Sequence, residues 1–126
     1  MANPLIGQNK ADAFTSSQCL VVQQDALETT DQVCVSVPFD CIVKKVYAAV
    51  TLGVTNGECE IAFKTPSGTC ASDNTGIDVS AIGASEIFNL TTNNTLKAGD
   101  VFEIENDGTD TSAGAASFTI VCEQNY

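Results

Sequence analysis

Residues 41–54 read CIVKKVYAAVTLGV, and their spacing decides the fold class. Val46, Ala48, Val50 and Leu52 fall on one side of an extended chain, and Lys45, Tyr47, Ala49 and Thr51 on the other. A period of two in a stretch rich in β-branched residues reads as a strand half-buried in a sheet. Asn56-Gly57 comes next, the dipeptide most suited to a tight hairpin because both residues accept positive φ.

The same reading extends in both directions. After the hairpin, CEIAFK places Cys59, Ile61 and Phe63 on one face and Glu60, Ala62 and Lys64 on the other. Upstream, QVCVSV alternates Val33, Val35 and Val37 with Cys34 and Ser36, and Pro38 ends the ladder because it has no N–H to donate. CLVVQQ from Cys19 is a first strand. Downstream, EIFNLT, VFEIEN and ASFTIVCEQ are three more. Alternation turns Phe63, Phe88, Phe102 and Phe118 toward the core. Between Thr65 and Ser85 the pattern lapses into a loop of about twenty residues, long for a compact domain, with a short strand near Ile77 to Val79. No helical periodicity competes with this series.

The fold class is therefore all-β: a single antiparallel β-sandwich of about seven or eight strands. The immunoglobulin arrangement lacks its core Trp, which leaves the jelly-roll type. Residues 1–16 are small and polar and read as an extended N-terminal arm. Residues 17–126 form the sandwich domain.

Composition narrows the function. Of 126 residues, 16 are acidic and 5 basic, for a net charge of −11, and all the basic residues are Lys. That balance argues against nucleic acid and anionic membrane as partners, since both require clustered cations. No His is present, which removes the commonest general acid/base and metal ligand, and with it any Ser/His/Asp or Cys/His machinery. No cofactor motif occurs, and the chain reads as a non-enzyme. The start, MANPLIGQNKADAF, lacks the basic and apolar regions of a secretory signal, pointing to synthesis in a cytoplasm. Six cysteines without a CxxC spacing leave two readings open, structural thiols or disulfides formed later.

One acidic cluster tests that view. LKAGDVFEIENDG spans residues 96–108. Glu105, Asp107 and Asp110 resemble the start of a calcium loop, yet no Glu closes it. Glu103 and Glu105 share a strand face and resemble a glycosidase carboxylate pair. Hairpin grammar explains the same residues: Ala98-Gly99-Asp100 and Asn106-Asp107-Gly108 are turns flanking a strand with Phe102 and Ile104 inward.

Two segments, VPFDCIVKKVYAAVTLG (37–53) and NLTTNNTLKAGDVFEIENDG (89–108), resemble small β-sandwich proteins of tailed bacteriophages, commonly head decoration or cement proteins. The resemblance spans residues 32 to 123. It implies a structural virion protein on the capsid exterior, bound to the major capsid protein as a homotrimer and cementing neighbouring shell subunits. The N-terminal arm would then be a capsid-binding element anchored by Pro4, Leu5, Ile6 and Phe14. The cysteines become core fillers or late disulfides; Cys59 with Cys70 would staple the TPSG turn, and Cys34 with Cys41 the Pro38 corner, two pairings among fifteen full connectivities. A phage adhesin or carbohydrate-binding sandwich is the alternative, with Tyr47 and Tyr126 as its candidate contacts.

Overall fold

The computed structural model describes residues 17–24, 30–52, 58–78, 82–107 and 114–124. The N-terminal arm with Pro4, Leu5, Ile6 and Phe14, the Asn56-Gly57 hairpin, Asp110 and Tyr126 lie outside the described residues.

Among the described residues ten strands occur in order: β1 (Ser17–Gln24), β2 (Thr30–Ser36), β3 (Cys41–Leu52), β4 (Glu58–Thr65), β5 (Gly68–Thr69), β6 (Gly76–Asp78), β7 (Ser85–Asn89), β8 (Thr95–Leu96), β9 (Val101–Asp107) and β10 (Ala115–Gln124). The first sheet runs β1-β10-β3-β7, with β8 pairing the start of β3. The second runs β2-β9-β4-β5, with β6 also on β4. Every pairing is antiparallel. The chain passes repeatedly from one sheet to the other, and the order of the main strands is that of a jelly roll. The protein is a β-sandwich. Among the described residues no helix is long and apolar enough to cross a membrane.

The alternating faces meet between the sheets. Phe88, Phe102 and Phe118 are fully buried and Phe63 is 1% exposed. Phe63 on β4 packs edge-on against Phe88 on β7, across the two sheets, with centroids 5.0 Å apart at 66°. It also stacks on Phe102 of its own sheet at 5.9 Å and 23°. Edge-to-face and offset arrangements both suit the ring quadrupole.

The long strand β3 departs from simple alternation twice. Between Val43 and Lys45 the register with β10 slips, leaving Lys44 without an opposite residue, and both lysines are exposed. Between Val50 and Leu52 it slips again around Thr51. Leu52, expected on the face of Val46, Ala48 and Val50, is instead 48% exposed. A bulge adds one residue, and one added residue reverses the facing of every side chain beyond it.

The twenty-residue loop is better ordered than its sequence implies. Cys70 and Ile77 are buried in the core, and β5 and β6 pair with β4. Gly76 comes so near β4 that a Cβ there would lie 2.6 Å from the Cys59 carbonyl oxygen. Buried Asn94 ties the next connection to β3. Its side-chain amide donates to the carbonyls of Val43 (2.9 Å) and Leu90 (3.1 Å), while the Val43 N–H donates to the Asn94 carbonyl (2.9 Å).

The two segments carrying the phage resemblance interlock. Val37 N–H donates to the Asp100 carbonyl and Gly99 N–H to the Val37 carbonyl, at 3.0 and 2.8 Å. Asp40 Oδ1 accepts from Ala98 N–H at 2.9 Å. Asp100 Oδ2 accepts from Lys97 N–H at 3.0 Å, closing the turn in which Gly99 takes φ +90°.

Truncating the ring that joins the sheets tests this packing. Phe63→Ala removes contacts to both layers and should cost about 3–5 kcal/mol in urea unfolding, with Phe63→Leu costing less than half of that.

Candidate functional site: two opposed sheet faces

A sandwich presents its two outer faces to whatever it binds, and these two differ in chemistry. On the outer face of the first sheet, Tyr47 stands between Thr119 and Ile87. Tyr47 is 41% and Ile87 47% exposed. The adjoining rows are Ser117, Ala49 and Ser85 on one side, and Val121, Lys45 and Asn89 on the other. Lys45 carries the only charge among these nine residues. Lys44, raised by the bulge, reaches Glu123 at 3.6 Å in an exposed ion pair. The lysine pair thus lies over a central strand.

The outer face of the second sheet is acidic and cross-linked. Glu105 accepts from Gln32 Nε2 through Oε2 (2.8 Å) and from Lys64 Nζ through Oε1 (2.9 Å). This joins β2, β9 and β4 in one row. The Gln32 hydrogen bond, with Lys64 second, holds the Glu105 carboxyl below its ordinary range. Glu103 lies two residues along. A shallow hollow of about 220 Å³ is lined by Glu60, Ile61, Ala62, Thr75, Glu105 and Asn106. The carboxylate that heads the calcium-loop-like run is therefore spent within the sheet. It also shifts opposite to a glycosidase acid, which needs a raised pKa. Among the described residues no group of three or more His, Cys, Asp or Glu is placed to hold a metal.

The segment around Asp73 is a strap between the sheets. Asp73 Oδ1 accepts from the Asn89 N–H (2.8 Å), and Oδ2 from Asn89 Nδ2 (2.7 Å). Asp73 N–H donates back to the Asn89 carbonyl, and Thr91 N–H to the Ala71 carbonyl. These bonds, the side-chain one foremost, lower the Asp73 pKa. The strap covers the Asn89 end of the outer edge of β7.

The described cysteines are thiols, and the structure does not bring together the pairs that sequence proximity suggested. Cys34 is exposed on β2, whereas Cys41 is buried on β3 in the other sheet. Cys70 bonds through its N–H to Phe63, four residues along β4 from Cys59, or ~13 Å at strand rise. A disulfide needs Cα atoms within about 7 Å. The thiols that do touch are Cys41 and Cys122, on neighbouring strands. Their 81-residue separation in sequence hid this, and only the β3–β10 register reveals it. Burial pushes the Cys41 pKa up, with the Cys122 hydrogen bond opposing. Burial pushes Cys70 up to about 11.

The sequence matches no protein-family model and none of the curated proteins. Solved structures do share the fold. One chain of the cyanophage Pam1 capsid asymmetric unit superimposes with TM-score 0.60 at 11% identity, covering 88% of this chain and 86% of that one. A chain of the capsid of Ralstonia phage GP4 gives TM-score 0.56 at 9% identity, covering 88% and 86%. At these identities the likeness is one of fold.

The electrostatics and the thiols each set up a measurement. Asp73 and Glu105 have folded pKa values below their ordinary 3.8 and 4.5, so the stability they contribute is present above those values and lost as pH falls through the folded ones. Thermal midpoints should hold steady from pH 7 to 5 and drop below about pH 4.5. The Asp73→Asn/Glu105→Gln double variant should show a shallower acid limb. Because alkylation needs access to the sulfur, brief alkylation of native protein should modify exposed Cys34 and spare buried Cys41, Cys59, Cys70 and Cys122, as peptide mapping by mass spectrometry would show.

Proposed function

We propose that this is a structural virion protein that binds the outer surface of a phage capsid and cements neighbouring shell subunits. The observation carrying this reading is the end-to-end correspondence with two chains from phage capsid structures, each spanned over 86% of its length. A fold match of that extent concerns whole small sandwiches, not one module inside a larger enzyme. The described surface agrees with a mechanical role. Glu105 is engaged with the sheet and Asp73 with the strap, which stiffens the shell of the sandwich.

In this reading the major capsid protein is the partner and the working unit is a homotrimer, made in the host cytoplasm and resident on the capsid exterior. Residues 1–16 are the capsid-binding arm. Pro4, Leu5, Ile6 and Phe14 supply its apolar contacts, with the ordering cost met on binding. The protein is not an enzyme and takes no cofactor. If disulfides form after release, Cys34, Cys59 and Cys70 require local rearrangement to take part, whereas Cys41 already touches Cys122.

A second reading rests on the exposed Tyr47–Ile87 pair. Framed by Asn89, Ser117 and Thr119, it offers one aromatic ring and several hydroxyls to a sugar, as an adhesin or carbohydrate-binding module would. Tyrosine fluorescence titrated with host polysaccharide tests it, since the chain has two Tyr and no Trp. A saturable change lost in Tyr47→Ala would establish this second reading.

The deciding experiment for the first is the copy number in purified virions relative to the major shell protein. Hundreds of copies are expected. A handful would move the protein to the tail, and absence would reject the capsid role.

A further inference from the structure

The four outer edges of the sandwich are unequally protected. On one side, β5, β6 and β8 are two or three residues long. The five-residue β7 has the Asn89 end of its free edge covered by the Asp73–Asn89 strap. On the other side lie β1, eight residues, and β2, seven. Among the described residues each has a strand neighbour in its sheet on one flank only, β10 and β9 respectively.

Soluble proteins blunt a free edge by shortening it, by placing Lys or Pro in it, or by twisting it away with a bulge. Neither β1 nor β2 uses any of these devices. SQCLVVQQ has no charged residue, and TDQVCVS has a single Asp. The β1–β10 and β2–β9 registers run without a shift, unlike the twice-bulged β3–β10 register. Two long, flat, nearly uncharged edges thus lie along the same side of the molecule.

We propose that this β1–β2 side is the contact surface for a second copy of the chain, joined by strand pairing across the edges. Charge selects the occupant. A protein of net charge −11 repels its own copies over most of its surface. Copies can approach where acidic groups are fewest, and β1 and β2 together contribute one. Symmetry favours it as well, because a closed oligomer covers the β1 and β2 edges of every copy at once. The surface says where subunits meet and is independent of whether the assembly then binds a capsid.

The test uses the full chain and two substitutions, one on each edge strand. Cys34 is exposed, and Val21 is the register partner of Thr119 on β10. Wild-type protein should run as a closed oligomer by light scattering, with β1 and β2 amides protected from hydrogen exchange. Val21→Lys/Cys34→Lys should be monomeric with an unchanged circular dichroism spectrum, and its edge amides should exchange at least tenfold faster. Cys34→Ser should remain oligomeric, separating added charge from loss of the thiol. A monomeric wild type at hundreds of micromolar overturns the proposal. So do protected edges in a monomer, which would mean that the chain covers its own edge. An oligomer indifferent to both lysines also rejects it. Virion copy number reads the capsid role separately, so either result can fail alone.

Discussion

The Phe63–Phe88 contact is where the two sheets become one molecule. Each sheet alone would expose an apolar face, and neither face can be covered by sequence-adjacent residues. Phe63 meets a ring from the opposite layer and a ring from its own, so its position depends on β4, β7 and β9 being in register together. The glycine approach at Gly76 and the Asn94 amide act on the same problem from the periphery. One lets β6 close on β4, and the other satisfies carbonyls that the sheet ladder leaves unpaired.

Much of the fold is legible because strands announce themselves by a period of two. The inward phenylalanines, the outward glutamates of β9 and the buried Cys59 and Cys122 all come from parity. Parity fails where an extra residue enters: nothing in CIVKKVYAAVTL marks Lys44 or Thr51 as the inserted position, and Leu52 consequently points outward. The short strand β6 shows itself near Ile77, whereas β5 and β8 are invisible. They exist because Asn93, Asn94 and the strap hold them, which is tertiary bonding and not local propensity. The surfaces are partly readable, since alternation identifies Tyr47 and Glu105 as outward. That Tyr47 meets Ile87, or that Gln32 and Lys64 both reach Glu105, depends on register between distant strands.

The phage-like segments gain a physical meaning from the structure. VPFD and KAGD lie some sixty residues apart, yet each supplies bonds to the other: Val37 to Gly99 and Asp100, and Asp40 to Ala98. Proline stops one ladder while glycine reverses the chain beside it. Asp40 and Asp100 each accept from a backbone N–H at the corner. A pairing of this kind links a sequence motif to a shape and does not by itself specify a binding partner. The two phage capsid chains accordingly share the architecture at very low identity.

The place of β10 in the first sheet has a consequence in time. It is the last of the described strands in sequence order, yet it sits between β1 and β3. Neither of those strands has its full set of neighbours until β10 has been synthesised. Pairings such as β1 with β10 and β2 with β9 join segments from opposite ends of the sequence, and such topologies fold slowly because loop closure precedes any reward. During that wait the nascent chain carries strands whose partners have not yet been made. The first sheet therefore stays open until β10 emerges, and the heavy negative charge keeps the waiting chains apart.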